Sequence, residues 1–346
     1  MIKNASELLL RLKQVHAAIR DSVIAACERD SLEQVSRVVA EDGAGDTIFA
    51  IDRVSEEILL EHFEELAQEW SCVLVAEGLG STGIKVLPEG TAFNEAEIYV
   101  IVDPIDGTRG LMYQKRSAWI LTGVAPNRGA ATNLTDIELA LQTEIPILKQ
   151  HLSDSLWAMA GEGAAGERYN RISGQLEPLR LQPSREKTIA QGYGGLARFF
   201  PGMRGLLATI DDEIVELILG PVQPGRALAF EDQYISTGGQ LYELIMGHDR
   251  WMADLRPLVE PLLRQQGRGL GLCCHPYDLC TELIARQVGV RITGPDGQPV
   301  NVPLDVNSDL AWVGYANSAI QSQVEPVLQA VLTGYGLLNQ TNTPGE

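Results

Sequence analysis

A layered α/β fold in two subdomains is expected from three features of the 346-residue chain. Short runs of strand formers end directly at acidic residues, and long amphipathic periodicities lie before and between them. Pro178, Pro183 and Ser184 mark a seam near residue 180, after which helical patterns predominate with strands between them. The strand-like runs of the first half are joined by turns rather than long helices, which predicts an antiparallel sheet in residues 1–180.

In chain order, Leu8, Leu12, Val15, Ile19 and Val23 recur at three-to-four residue spacing and predict a helix over about residues 5–28. A second helix is expected after Asp52, with Val54, Ile58, Leu59, Phe63 and Leu66 on its apolar face. Glu56, Glu57, Glu61, Glu64 and Glu65 read as its solvated face. Cys72-Val73-Leu74-Val75-Ala76 and Ile98-Tyr99-Val100-Ile101-Val102 read as strands ending at Glu77 and Asp103. Trp119–Val124 and Leu156–Ala160 read as further strands. The stretch 133–154 reads as an insertion, and 258–271 as a helix and loop added to a smaller plan. The last residues, 341–346, are expected to fray. There is no internal repeat at a fixed period and no low-complexity segment.

With 45% hydrophobic residues the chain can bury a sizeable core. Its 27 Lys+Arg against 46 Asp+Glu give a formal charge of −19, which repels polymeric nucleic acid and anionic lipid. An anionic small molecule is not excluded, because divalent cations held by some of those carboxylates reverse the local sign. No apolar signal core or membrane-length stretch is present, and a cytoplasmic protein is expected. Five cysteines, odd in number and thinly spread, suit reduced thiols better than a disulfide framework.

The most informative string is Asp103-Pro104-Ile105-Asp106-Gly107-Thr108. Two carboxylates three residues apart around a proline-stiffened turn, together with the Ile105 carbonyl, can converge on one point. Hard oxygen donors of this kind select Mg²⁺ or Mn²⁺. Gly107 permits close backbone approach, and Thr108 can open a helix whose N–H groups face an anion.

This string resembles the signature of the inositol monophosphatase and fructose-1,6-bisphosphatase superfamily of lithium-sensitive, metal-dependent phosphatases. Three weaker matches follow the same order: the segment from Asp46 to Asp52, Glu77 at the end of a strand, and Pro276-Tyr277-Asp278-Leu279 opening a helical run. The resemblance spans about residues 5–335 and implies a five-layer αβαβα sandwich, with a smaller mixed sheet in residues 181–346. It implies that Glu77, Asp103, the Ile105 carbonyl, Asp106 and Asp278 bind two or three Mg²⁺ ions, with Asp278 supplied by the second subdomain. It further implies that Asp46 and Thr108 orient or deprotonate the attacking water, and that the protein forms a homodimer. The substrate remains open among inositol phosphate, fructose bisphosphate, 3′-phosphoadenosine 5′-phosphate and histidinol phosphate.

Several positions depart from the family pattern. Gly78 stands where a second acid usually follows the bridging glutamate, Phe49 where a Thr is usual, and Tyr277 where a Trp is usual. The acid that contacts substrate hydroxyls in sugar-phosphate members falls on Gly271. If 258–271 is treated as inserted, Ser236-Thr237-Gly238-Gly239 matches a substrate-side turn and Asp254 takes the acidic position. Arg109 is either a further specificity residue or a surface arginine.

Other signals are discounted. Gly161-Glu162-Gly163-Ala164-Ala165-Gly166 matches a dinucleotide fingerprint but lacks a crossover helix after it and reads as a hairpin turn. Cys273, Cys274, His275 and Cys280 lack the distant pair that a tetrahedral zinc site needs. The histidines His16, His62, His151 and His248 have no evident partners in the sequence. No serine-hydrolase elbow or Walker loop is present. Two rivals stay open: a regulatory or binding protein that keeps the fold with feeble catalysis, and an oxidoreductase built on the Gly161 turn.

Overall fold

The computed structural model describes residues 2–41, 47–79 and 82–338. It opens with α1 (Ala5–Arg29), on which Leu8, Leu12, Val15, Ile19 and Val23 are all buried. A short α2 (Leu32–Val35) and the ribbon β1 (Val38–Glu41) and β2 (Thr47–Phe49) lead into α3 (Ala50–Leu66). This helix begins at Ala50, two residues before Asp52. Asp52 sits in its first turn, and its Oδ2 accepts from the Phe49 N–H at 2.8 Å, which fixes the start.

Strands β3 (Cys72–Ala76), β4 (Ile84–Leu87), β5 (Ile98–Asp106), β6 (Ala118–Pro126), β7 (Leu139–Ile145), β8 (Leu152–Met159), β9 (Gly163–Asn170) and β10 (Leu176–Leu179) form one sheet. Its order is β10-β9-β8-β7-β6-β5-β3-β4, and a short α4 (Thr108–Met112) lies between β5 and β6. All pairs are antiparallel except β3 with β5. The Gly161 segment is the β8–β9 hairpin turn, with Gly161 and Gly163 both at positive φ. The oxidoreductase reading therefore has no strand–helix–strand unit here.

The stretch 133–154 is not an insertion, because β7 lies in the middle of this sheet between β6 and β8. Its apolar run is broken by Gln142, Thr143 and Glu144, all buried. Each of these has a partner, as buried polar groups require. Gln142 donates to the Gly238 carbonyl at 2.7 Å and accepts from the Thr281 hydroxyl at 3.0 Å. Thr143 Oγ1 lies 2.9 Å from His16 Nδ1, whose other nitrogen lies 2.8 Å from Thr122 Oγ1. Burial, and then the Arg20 charge, push His16 down to about 3, so it is a neutral core bridge. Glu144 accepts from Ser117 at 2.6 Å and Gln150 at 2.7 Å.

The second half adds β11 (Tyr193–Leu196), α5 (Arg204–Leu219), α6 (Thr237–Ile245), β12 (Asp249–Asp254), α7 (Glu260–Gln265), α8 (Pro276–Leu279), α9 (Glu282–Gln287), β13 (Arg291–Thr293), β14 (Trp312–Tyr315) and α10 (Ser318–Gly334). Its four-stranded sheet runs β11-β12-β14-β13 and is mixed, with β11 and β12 parallel. The helix and loop expected at 258–271 are present as α7 and the chain that follows it.

Strand alternation sorts the side chains into layers. Leu74, Val100, Val102 and Ile120 face α1 and α3, whereas Val73, Val75, Ile101 and Leu121 face the opposite way. That second face packs on α6, α8 and α9, which also cover Met252, Ile292 and Trp312 of the small sheet. The far side of the small sheet, with Trp251, Val313 and Tyr315, packs on α5 and α10. The result is helix, sheet, helix, sheet, helix, and both sheets are covered on both faces. Burial on two sides explains why β3 and β5 read as unbroken apolar runs. The seam near 180 separates the two sheets along the chain, yet helices of the second half pack on the first sheet.

Gln142 joins β7 to the start of α6 and to Thr281, beside α8. Gln142→Leu leaves the Gly238 carbonyl and the Thr281 hydroxyl without this partner, and is expected to cost about 2–4 kcal/mol of stability in urea unfolding. Unchanged stability would contradict this assignment.

Candidate metal centre

The centre forms where β5 breaks its pairing with β6. Asp103 pairs with Leu121 and Asp106 with Trp119, so the strand carries irregular extra residues between its two acids. Such a bulge re-aims side chains that a regular pleat would place on opposite faces. The Ile105 N–H donates to Asp103 Oδ1 at 2.9 Å and locks the turn. β3 runs parallel to β5 with Ala76 opposite Val102, so Glu77 ends its strand beside Asp103.

The second half closes the site from above. Ser236 caps α6, accepting from the Gly239 N–H at 2.8 Å while its hydroxyl donates to Asp106 Oδ2 at 2.8 Å. The Gly238 N–H donates to the same oxygen at 2.6 Å. Gly107 has φ of 95°, and a Cβ there would lie 3.0 Å from that of Ser236 and 3.3 Å from the Ile235 carbonyl, so glycine is required by both shape and space. Asp278 stands in the first turn of α8, its Oδ2 accepting from the His275 N–H at 2.6 Å. Tyr277, at the position where Trp was the expected residue, stacks its ring on His275 at 5.2 Å.

Asp103, Asp106 and Asp278 each bring a carboxylate oxygen within 4.8 Å of the others. Glu77, Ile105, Gly107, Thr108, Arg109 and Thr237 line the same cleft. The residues expected from the sequence to hold metal thus line one cleft, with Asp103, Asp106 and Asp278 clustered and Glu77 and Ile105 in its wall. Asp46 lies outside the described residues. Among the described residues, Asp52 stands beside Thr108, its Oδ1 accepting from the Thr108 hydroxyl at 3.0 Å; the Ile105 carbonyl is the hydroxyl's other acceptor, at 2.8 Å.

The electrostatics of the cleft call for a cation. Asp103 is 4% exposed and Asp106 7%, and no lysine or arginine among the described residues pairs with either or with Asp278. Burial, then the charges of Asp106, Asp278 and Glu77, raise the Asp103 carboxyl well above the usual range. Burial and the Asp278 charge push Asp106 up to about 8, against the opposing pull of its Ser236 and Gly238 hydrogen bonds. Buried like charges without a counter-ion are strongly disfavoured, and a divalent ion relieves all of them together. The all-oxygen donor set fits Mg²⁺ or Mn²⁺. The cysteines nearby do not contribute: Cys274 accepts from Thr237 at 3.6 Å, and burial raises its thiol well above the ordinary value.

The outer wall contains residues that sequence reasoning missed. Arg109 lies over the rings of Phe49 and Phe200 at 5.5 and 5.3 Å, which gives the departure at position 49 a physical role. Phe199, Phe200 and Arg256 line the cleft, and Arg256 lies 4.4 Å from the Phe199 ring. Asp254 is buried at the end of β12 with its carboxylate gripped by Arg256, Nε to Oδ1 at 2.8 Å; its position supports Arg256. Nothing in the sequence around Phe199, Phe200 and Arg256 signalled their convergence, because two separate segments, one after β11 and one after β12, bring them in.

Without metal, the raised carboxyls bind protons in the native state that the unfolded chain has released. For Asp106 this cost is absent below about pH 4, grows as pH rises toward 8, and is then complete, and burial displaces Asp103 in the same direction. Between pH 6.5 and 8, above the range where His16 matters, the metal-free protein is expected to lose about 1–2 kcal/mol of stability, and Mg²⁺ is expected to restore it. Thermal unfolding in EDTA and in Mg²⁺ checks this. A flat profile in EDTA would contradict the description of the site.

No protein-family model and no curated protein matches the chain by sequence. Solved structures do match by shape. Fructose-1,6-bisphosphatase of Leishmania major, in holo form, superimposes with a TM-score of 0.67 at 13% identity over 94% of this chain and 93% of that one. The extragenic suppressor protein SuhB of Bartonella henselae gives 0.62 at 14% identity, covering 93% and 98%. An IMPase of Thermotoga maritima gives 0.59 at 16% identity, covering 94% and 98%. Together with the five-layer arrangement, these likenesses establish that the chain has the fold of the inositol monophosphatase and fructose-1,6-bisphosphatase superfamily.

Proposed function

We propose that the protein is a magnesium-dependent phosphatase that hydrolyses a small phosphomonoester. The observation that carries this reading is the meeting of three carboxylates, the buried Asp103 and Asp106 and the half-buried Asp278, from two halves of the chain within 4.8 Å, beside a Thr108–Asp52 hydrogen bond. Solved structures of this shape include enzymes named fructose-1,6-bisphosphatase and IMPase, which favours phosphoryl chemistry and leaves the individual substrate open.

Glu77, Asp103, the Ile105 carbonyl, Asp106 and Asp278 would hold the ions. Bound Mg²⁺ lowers the pKa of water and neutralises charge on the transferred phosphoryl group. Thr108 and Asp52 handle the water's proton. The Thr108 hydroxyl has one hydrogen, and donating it to Asp52 leaves its oxygen lone pairs to accept from water. Asp52 then draws that proton away, a general-base role assigned here to Asp52 rather than Asp46. The hydrogen bonds from Ser236 and Gly238 fix the Asp106 carboxylate, and Thr237 lies beside them on the phosphate side. Arg109, braced between two rings, stands where a substrate anion enters. A purely regulatory protein has no need of the Thr108–Asp52 pair.

Phosphate release from a panel of inositol, sugar and nucleotide phosphates, with and without Mg²⁺, tests the proposal. Release that requires Mg²⁺ and falls with millimolar Li⁺ is expected; silence across the panel would favour the regulatory reading. Asp103→Asn is expected to lower kcat at least about 100-fold with the fold intact. Thr108→Ala and Asp52→Asn should each lower kcat about 100-fold or more, and the double variant no further, because the two act as a unit. Additive losses would separate their roles.

A further inference from the structure

The outer part of the cleft is walled by flat π surfaces. Phe199 and Phe200 line it with ring centroids 5.0 Å apart and planes at 86°, so the two rings form a corner. The Arg256 guanidinium sits against that corner, 4.4 Å from the Phe199 centroid and 5.3 Å from the Phe200 centroid. Arg109 also lies 5.3 Å from the Phe200 centroid, so one ring is shared by two guanidiniums. Arg256 is held along its edges. Nε donates to Asp254 Oδ1 at 2.8 Å, Nη2 to Asp254 Oδ2, and Nη1 to the Leu272 carbonyl at 2.6 Å. A guanidinium pinned in this way meets its other neighbours through its flat faces.

The same wall is poor in groups that could receive hydroxyls. Neither position at which the sequence could place a hydroxyl-binding acid supplies one: residue 271 is glycine, and Asp254 is 1% exposed with both carboxylate oxygens taken by Arg256. Ser236 donates to Asp106 and accepts from the Gly239 N–H, and Thr237 donates to Cys274 Sγ at 3.6 Å. Ile235, Leu272 and Cys273 add apolar and thiol surface. A polyol pressed against this wall gives up its water without recovering hydrogen bonds. A flat unsaturated ring gives up far less, and phenyl faces and guanidinium planes are the surfaces on which heterocyclic bases stack. The cleft encloses about 550 Å³, in the size range of sites for ligands of that kind.

We propose that the leaving group is a nucleoside, with its base on the corner made by Phe199, Phe200 and Arg256 and its phosphate at the acidic cluster beside Thr237. This inference rests on the phosphatase reading above and narrows its substrate to nucleoside monophosphates, in preference to inositol and sugar phosphates. Water adds to phosphorus, the bond from phosphorus to the nucleoside oxygen breaks, and that oxygen takes up a proton, which gives a nucleoside and inorganic phosphate. Phe199 and Phe200 are then specificity-determining residues. Asp254 is a positioning residue that acts by holding Arg256.

The test compares phosphate release by the full chain in Mg²⁺ from adenosine monophosphates, inositol monophosphate, fructose bisphosphate and glycerol phosphate. It also follows adenosine binding to the metal-free protein by saturation-transfer NMR. In the wild type, kcat/KM is expected to be at least about 10-fold higher for an adenosine monophosphate than for inositol monophosphate. Phe199→Leu and Phe200→Leu should each lower that ratio about 10-fold, with circular dichroism confirming that the variants are folded. Saturation should reach the base protons of adenosine more strongly than its ribose protons, a signature that a purely structural role of the two rings does not produce. Equal or faster turnover of inositol monophosphate or fructose bisphosphate, or no contact with adenosine, would overturn the nucleoside assignment and leave the phosphatase reading standing. An unchanged ratio in both variants would overturn the role of the rings. No Mg²⁺-dependent release from any of these esters would overturn the phosphatase reading itself, and this inference with it.

Discussion

Mutual repulsion among Asp103, Asp106 and Asp278 is the constraint around which the molecule is arranged. Three carboxylates in a buried cleft, without a lysine or arginine paired to them among the described residues, are tolerable only if protons or a cation take up their charge. The surrounding fold keeps them together against that repulsion. The Asp103–Asp106 bulge interrupts a strand whose pairing with β6 resumes at Asp106, so the turn is fixed at both ends. Donors from Ser236 and Gly238 hold Asp106, and the backbone of His275 holds Asp278.

The layering explains how Asp103 and Asp106 meet Asp278, from the other half of the chain, in one acidic cluster. α6 and α8 lie between the two sheets and point their first turns at the broken edge of β5. Their placement depends on polar contacts through the core as much as on apolar packing. Gln142 reaches from β7 to the Gly238 carbonyl and to Thr281, so it ties the first sheet to α6, whose first turn holds Asp106, and to the chain just after α8, which bears Asp278. The metal centre is consequently a junction between the halves of the chain, and binding of an ion there should tighten the whole sandwich.

Much of this was legible in the sequence where the signal is local. The Asp103-Pro104-Ile105-Asp106-Gly107-Thr108 turn, the acids closing β3 and β5, and the hairpin at Gly161 each depend on neighbours in the chain. β7 was hidden because Gln142, Thr143 and Glu144 look like surface residues until their partners from distant segments are known. The contact of Asp52 with Thr108 was not legible either, since only the packing of α3 against the β5 turn brings the two together. Glu56 was grouped with four exposed glutamates by its helical neighbours, although its own position turns it toward Gly78. For the acid on the substrate side the sequence left Gly271 and Asp254 open, and the pairing of the Asp254 carboxylate with Arg256 is set by contacts that no spacing in the sequence displays.

The central claim is that these carboxylates are cation ligands whose protons a metal displaces. It is tested most directly by calorimetric titration of Mg²⁺ near pH 7 in buffers of different ionisation enthalpy, which counts protons released per ion bound. Saturable binding with net proton release is predicted, because Asp106 with a value of about 8 must ionise to coordinate. Binding without proton release, or no saturable binding, would contradict the account.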